Sequence, residues 1–183
     1  IILYEADIRV ADRYLMERFV YGAVEFLAPQ DFDDTSQTVI ENAQIRPCQF
    51  RTTFTTLSID IECNEHEELF SIALAGEGLN VVLLLCPPRF VGQTLQGQKD
   101  SAYELITVAS EKALLEAFFS YLTSYDPDII LGWNVKQFDM AVLERRARAN
   151  SLKYVIGRHS REASVRQWED QTLVDVPGRC VID

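Results

Sequence analysis

The sequence contains little of what several classes of protein need. Its 183 residues include only two histidines and four cysteines, and the cysteines are scattered without a C-x-x-C pair. A disulfide framework or a zinc centre is therefore not expected, and free thiols in a reducing cytoplasm are the simpler expectation. No apolar run approaches the roughly 20 residues that a membrane-spanning helix requires, and no segment has the pattern of a signal peptide. The sequence thus predicts a cytoplasmic protein without a membrane partner.

Positive charge is also scarce. Lys and Arg number 17 against 28 Asp and Glu, so the formal net charge is -11. A protein that binds nucleic acid unaided normally presents a basic surface to the phosphates. If this chain meets DNA or RNA, its main electrostatic contacts are expected in segments that this sequence does not include. The first residue is Ile1 rather than Met, which also suggests a piece of a longer chain.

Basic side chains are concentrated in one part of the chain, between residues 145 and 166. This stretch fits a solvated helix face and loop, and it also fits a surface that contacts a phosphate backbone. The sequence leaves both interpretations open.

Hydrophobic residues make up 48% of the chain and charged residues 25%, which is typical of a globular protein. Residues 1–50 predict a small segment rich in strands and turns, with residues 14–19 as one of its strand or turn elements. We place a domain boundary near residue 50 and a second domain at residues 51–183. Runs rich in β-branched and apolar residues predict its strands at residues 52–63, 69–75, 80–86, 103–108 and 128–132.

Two helices are expected among these strands. Ser110 suits the N-cap of a helix that runs to about Ser124, because apolar residues recur there at helical spacing. Asn134, followed three residues later by Gln137, forms a capping-box pattern that predicts a second helix up to Asn150. Three successive strands, then strand, helix, strand and helix, predict a mixed α/β sheet with an antiparallel and a parallel part.

Two carboxylates lie two residues apart in the first of the predicted domain's strands. Side chains alternate across a strand, so Asp60 and Glu62 project from the same face. Adjacent carboxylates repel each other unless a cation lies between them. This pattern fits half of a magnesium site, although a solvated pair on an edge strand would also explain it.

A third carboxylate strengthens the metal hypothesis. Asp139 follows a predicted strand and lies in the first turns of a helix, near the edge of the sheet where ligand sites usually form. Carboxylates are ligands that Mg²⁺ prefers, and a pair of such ions about 3.5–4 Å apart can promote phosphodiester cleavage. Taken alone, Asp139 also fits an acidic residue that is favourable near a helix N-terminus.

Several stretches of the chain resemble family B DNA polymerases. Residues 58–62 (S-I-D-I-E) resemble the first exonuclease motif of that family, and residues 126–139 (D-P-D-I-I-L-G-W-N-V-K-Q-F-D) resemble the second. Residues 4–8 and 13–19 are similar to the amino-terminal domain of the bacterial DNA polymerase II branch. Residues 178–183 (G-R-C-V-I-D) are similar to a G-R-x-x-x-D element of the same family.

The resemblance implies an RNase H-like fold, a mixed sheet with flanking helices, and a 3′→5′ proofreading exonuclease. Asp60, Glu62 and Asp139 would then be catalytic metal ligands for Mg²⁺ or Mn²⁺, with two ions in the complete domain. Asn134 and Phe138 match motif positions near a bound single-stranded 3′ end of DNA, although a core role is the simpler expectation for Phe138. The remaining polymerase domains are expected in cis, in a nucleoid-associated bacterial protein.

One element of the family pattern is missing from the sequence. The family supplies a fourth carboxylate from a third motif, Y-x-x-x-D, but here Tyr154 is followed at that spacing by Arg158. Asp170, Asp175 and Asp183 do not complete the pattern either. The chain therefore resembles the amino-terminal part of a polymerase that ends inside its exonuclease domain.

Two other functions remain open on the sequence. The domain could be a degenerate RNase H-like module that binds single-stranded DNA or a partner protein without catalysis. It could also be a free-standing exonuclease of the same fold, which the polymerase-like first 50 residues disfavour.

Overall fold

A computed structural model describes residues 8–27, 40–91, 102–168 and 171–183. The chain divides into two compact units, residues 1–53 and residues 54–183. In the first unit, helix α1 (Val10–Glu17) is followed by two short strands, β1 (Val24–Phe26) and β2 (Ile45–Pro47), which pair antiparallel. Residues 1–7 and 28–39 of the predicted β-rich segment lie outside the described residues.

The prediction of strand or turn at residues 14–19 was wrong, because most of these residues belong to α1. Charged pairs at helical spacing accompany the helix: Arg13 Nε lies 2.9 Å from Glu17 Oε1. Pairs four residues apart meet on a helix surface and favour it by a few tenths of a kcal/mol, about 0.2–0.5. The helix ends before Phe19, whose φ of 54° is left-handed.

The second unit contains a mixed sheet, as the sequence predicts, but the sheet has six strands where five were expected. The strands of this unit are β3 (Thr56–Cys63), β4 (Leu69–Gly76), β5 (Leu79–Leu85), β6 (Glu104–Val108), β7 (Ile129–Leu131), β8 (Ser164–Trp168), β9 (Gln171–Asp175) and β10 (Cys180–Ile182). The sheet order is β10-β7-β3-β4-β5-β6. The pairs β3–β4 and β4–β5 are antiparallel, whereas β5–β6, β3–β7 and β7–β10 are parallel. Strands β8 and β9 form a separate antiparallel ribbon.

Two helices cover one face of the sheet. Helix α2 (Glu111–Tyr125) packs on β4, β5 and β6, and helix α3 (Asp139–Ala149) packs on β3 and β8. Ser110 caps α2 as predicted, because its Oγ accepts a hydrogen bond of 3.2 Å from the Ala113 N–H. None of the described helices is long and apolar enough to cross a bilayer.

The core forms where the helices meet the sheet. Along β3, the inward positions are buried and the outward ones are exposed, which confirms the predicted alternation. Fully buried side chains of α2 and α3 pack against the inward face of the sheet. Representative core residues are Leu57, Ile59, Ile72, Leu83, Phe118, Leu122, Met140 and Leu143.

Helix α3 starts four residues later than the capping-box pattern predicts, with Phe138 rather than Asn134 at its N-cap. Asn134 does not cap a helix: it has a left-handed φ of 56°, and residues 133–138 form turns. The helix begins at Asp139. Val135 is fully buried, so the chain first bends to bring this side chain into the core. Tertiary burial thus overrides the local capping signal.

Candidate active site

Among the described residues, the edge of β3 that pairs with β7 has no strand beside it beyond the end of β7. The parallel register pairs Ser58 with Leu131, the last residue of β7, while β3 continues to Cys63. The start of α3 supplies the acceptor that a neighbouring strand would otherwise provide. Asp139 Oδ1 accepts a hydrogen bond of 3.1 Å from the Ile61 N–H. This hydrogen bond joins Asp139, which belongs to the predicted second motif, to β3, which carries the first motif.

A glycine allows the chain to leave β7 so close to β3. A Cβ on Gly132 would lie 2.8 Å from the Ile59 carbonyl oxygen and 2.8 Å from Val135 Cβ. Both are shorter than ordinary van der Waals contacts. Residue 132 therefore needs to lack a side chain if Val135 is to enter the core and Asp139 is to reach β3.

Asp139 is a buried charged residue, with 3% of its surface exposed. Burial raises its pKa to about 6, and the charges of Asp60 and Asp183 add to the rise. Hydrogen bonds from its own backbone N–H and from that of Ile61 act in the opposite direction. An ionised Asp139 is therefore costly unless a cation approaches it.

Replacing Asp139 with Asn is expected to stabilise the metal-free chain above pH 6. The ordinary pKa of 3.8 rises to about 6 on folding, so the folded state binds the proton more tightly. The stability of the wild-type chain should fall as pH rises from about 4 to about 6, by roughly 1–3 kcal/mol. Asn cannot ionise, and its Oδ1 still accepts from Ile61.

The measurement is urea denaturation of both forms in a chelating buffer from pH 4.5 to 8. The difference in free energy of unfolding should grow with pH and then level off above about pH 7. Parallel curves for the two proteins would contradict the prediction. Adding Mg²⁺ should stabilise the wild type more than Asp139→Asn, because binding to the folded state alone raises stability.

Asp60 and Glu62 lie on the exposed face of β3, as predicted. Asp60 is near enough for its charge to act on Asp139. Glu62 lies at an irregularity in the β3–β4 register between residues 62 and 63, a kind of distortion that changes the direction of side chains. Burial raises the pKa of the neighbouring Cys63, and the charges of Glu67, Glu62 and Asp139 raise it further. The carboxylates of both motifs thus lie along the second half of β3, on the strand itself or bonded to it.

The donor set fits Mg²⁺ in kind, because carboxylate oxygens are its preferred protein ligands. In the part of the chain that the structure describes, however, no three His, Cys, Asp or Glu side chains are grouped closely enough to hold a metal ion. The assignment of Asp60, Glu62 and Asp139 as metal ligands therefore stays a prediction.

Asn134 and Phe138 are both exposed on the turn that precedes α3. The expectation that Phe138 belongs to the core was wrong, since 43% of its surface is exposed. Val135 and Met140, both fully buried, occupy the inward positions on either side of it. Phe138 is therefore accessible, and its role beside a bound 3′ end stays a prediction.

Sequence reasoning missed two residues at this end of the sheet. Trp133, beside Asn134, has 93% of its surface exposed. Asp183 follows β10, and its Oδ1 accepts a hydrogen bond of 3.0 Å from the Lys136 N–H. The G-R-x-x-x-D element was a signal for Asp183, but only the parallel pairing of β10 with β7 brings it to the turn.

The residues at the spacing of the third motif lie elsewhere. Tyr154 is buried, and its hydroxyl contacts Met140 Sδ at 3.3 Å. Burial raises the pKa of Tyr154. Arg158 binds Asp126 and Asp128, which precede β7 and so lie at the opposite end of that strand from the turn. Neither residue stands in for the missing motif.

Much of the basic stretch is engaged with the chain's own carboxylates. Arg145 Nη2 lies 2.7 Å from Glu67 Oε1, and Arg146 Nη2 lies 2.6 Å from Glu111 Oε2. Arg148 pairs with Glu144. These contacts favour a structural role for this part of the stretch over binding to a phosphate backbone.

The whole chain, residues 1–183, matches the model for "DNA polymerase family B, exonuclease domain". It is 36% identical to DNA polymerase II of Escherichia coli (strain K12) over 187 residues, which cover 100% of this chain and 22% of that protein. It is 26% identical to a DNA polymerase of Desulfurococcus sp. (strain Tok), over 99% of this chain and 20% of that protein. The chain thus spans about a fifth of the length of these relatives.

The fold has a counterpart among solved structures. The family B DNA polymerase from the hyperthermophilic archaeon Pyrobaculum calidifontis superimposes with a TM-score of 0.63 at 19% identity, over 98% of this chain and 22% of that chain. At this identity the likeness concerns the fold alone. The predicted RNase H-like α/β class is confirmed.

Proposed function

Because this chain belongs to the family B DNA polymerase exonuclease-domain family, we propose that it contributes to 3′→5′ proofreading by a DNA polymerase. The observation that supports this best is the placement of Asp139. It is buried against the N–H of Ile61, the residue between Asp60 and Glu62 in β3, and it is near enough for the charge of Asp60 to raise its pKa. A cation that binds both carboxylates would offset their mutual repulsion and the free-energy cost of ionising the buried one.

In the proposed reaction, water attacks the terminal phosphodiester of a single-stranded 3′ end. The bond from phosphorus to the 3′ oxygen breaks, that oxygen receives a proton, and a nucleoside 5′-monophosphate leaves. Asp60, Glu62 and Asp139 would hold Mg²⁺ or Mn²⁺, two ions in the complete domain. When bound there, the metal would make an attacking water more acidic and would stabilise the leaving oxygen.

The other proposed roles concern substrate and context. Asn134 and Phe138, exposed on the turn before α3, would orient the 3′-terminal nucleotide. With a net charge of -11, the chain would depend on further polymerase domains in cis for most contacts with the DNA backbone. We place the protein in the bacterial cytoplasm, associated with the nucleoid.

The test is an exonuclease assay on the protein that the complete gene encodes. Single-stranded DNA labelled at its 5′ end should shorten in steps of one nucleotide when Mg²⁺ is present and not when it is chelated. A phosphorothioate at the last linkage should slow the first step. Endonucleolytic products, or shortening from the 5′ end, would contradict the proposal.

A second candidate is a module that binds DNA or a partner without catalysis. It is favoured by one observation, that no three potential ligands are grouped as a metal centre within the described ranges. It predicts binding of the single strand without shortening under the same conditions. The assay therefore separates the two functions.

A further inference from the structure

Asp183 and Lys136 are in contact although they are 47 positions apart in the sequence. The Lys136 backbone N–H donates a hydrogen bond of 3.0 Å to Asp183 Oδ1, and Lys136 Nζ lies 4.0 Å from Asp183 Oδ2. We propose that Asp183 is a positioning residue, which holds the turn of residues 133–138 and so the exposed Asn134 and Phe138. The inference rests on the proposed function of this turn in binding a 3′ end.

On its exposed side the turn is held by Asp183, 3.0 Å from the Lys136 N–H, and more weakly by Gln167, whose Nε2 donates to the Gln137 carbonyl oxygen at 3.5 Å. Its base is fixed by the fully buried Val135 and by two backbone bonds: Phe138 N–H to the Asn134 carbonyl at 3.0 Å, and Met140 N–H to the Val135 carbonyl at 2.8 Å. Asn134 and Phe138 themselves are exposed. The contact from Asp183 reaches the middle of the turn, between these two residues.

The backbone hydrogen bond is expected to matter more than the ion pair. The side chains of Lys136 and Asp183 are 34% and 42% exposed, and their charged atoms are separated by 4.0 Å. Exposed pairs of this kind contribute little, whereas a carboxylate that accepts from a backbone N–H fixes both partners. The role of Asp183 therefore depends on its acceptor oxygen, which an amide can replace.

Three variants of the protein encoded by the complete gene separate these contributions. Asp183→Ala removes the acceptor and should lower kcat/KM on single-stranded DNA by about 10–100-fold, mainly through a higher KM, because the turn no longer presents its side chains correctly. Asp183→Asn keeps the acceptor and should stay within about threefold of the wild type. Lys136→Met keeps the N–H, removes only the ammonium, and should behave like Asp183→Asn.

Hydrogen exchange provides a readout that does not depend on activity. The amide of Lys136 should lose protection in Asp183→Ala and keep it in Asp183→Asn, measured on peptides that cover residues 133–138. Unchanged exchange in Asp183→Ala would overturn the proposal. So would equal activity losses in Asp183→Asn and Asp183→Ala together with a higher Mg²⁺ requirement, because that pattern indicates a role for the charge.

The failure of the proposed function would look different. If Asp60→Ala leaves cleavage intact, or if the wild type does not cleave, the exonuclease assignment fails whatever the variants of Asp183 do. The exchange result would still show whether Asp183 holds the turn. If the protein does not cleave, the dissociation constant for a single-stranded oligonucleotide is measured instead of KM. Asp183→Ala should then bind more weakly than the wild type, and Asp183→Asn and Lys136→Met should bind about as well.

Discussion

Asp60→Ala is expected to abolish 3′→5′ cleavage of single-stranded DNA by the protein that the complete gene encodes, with a loss of about 1,000-fold or more. Asp60 projects from the exposed face of β3, and its charge acts on the buried Asp139. If both carboxylates hold a catalytic cation, removing one forfeits several kcal/mol of transition-state stabilisation, and each 1.36 kcal/mol is about tenfold in rate. Asp139→Ala should have the same effect.

The same variants should leave nucleotide addition unchanged, because the proposed polymerase centre lies in other domains. A matched control is Glu116→Gln, which removes one negative charge from the exposed side of α2. It should cleave like the wild type. Normal cleavage by Asp60→Ala would disprove the assignment of the site, and a parallel loss of nucleotide addition would indicate a general folding defect instead.

Gly132→Ala is expected to damage both stability and cleavage. The added Cβ would lie 2.8 Å from the Ile59 carbonyl oxygen and 2.8 Å from Val135 Cβ. Val135 is fully buried, so neither neighbour can move without disturbing the strand or the core. Overpacking of this kind costs roughly 1–3 kcal/mol. The displaced turn should also carry Asp139 away from β3, so we expect cleavage to fall by about tenfold or more.

Urea denaturation and the single-strand assay measure the two effects. Gly22→Ala is a useful comparison, because a Cβ at Gly22 meets nothing within 4 Å. That substitution should be neutral within about 0.5 kcal/mol. Equal stability of Gly132→Ala and the wild type would show that the turn adapts, and the requirement for glycine would then be wrong.

Local patterns in the sequence were sufficient to predict most strands of the sheet and helix α2. The strict alternation of β3, with Leu57 and Ile59 inward and Asp60 outward, follows from the period of a strand. Ser110 caps α2 where its hydroxyl and the following apolar spacing predict. Such features depend on neighbours within a few residues, which is why they can be inferred from one sequence.

Local patterns failed where a contact distant in the sequence decided the conformation. The apparent cap at Asn134 and the inward position of Phe138 were wrong, because Val135 enters the core and bends the chain before α3 begins. The error at residues 14–19 is local instead: strand or turn was expected there, but most of these residues form a helix, which the charged pair of Arg13 and Glu17 accompanies. In each case the residue types fitted two local structures.

By itself, the sequence determined the residue types of the candidate site: two carboxylates on one face of a strand and a third at the start of a helix. Only the tertiary structure decided that Asp139 is buried against Ile61, 78 positions away, and that Asp183 reaches Lys136, 47 positions away. The physical reason is the pairing of β3, β7 and β10. Parallel strands bring their carboxyl ends to one edge, and no local pattern specifies which strands become neighbours.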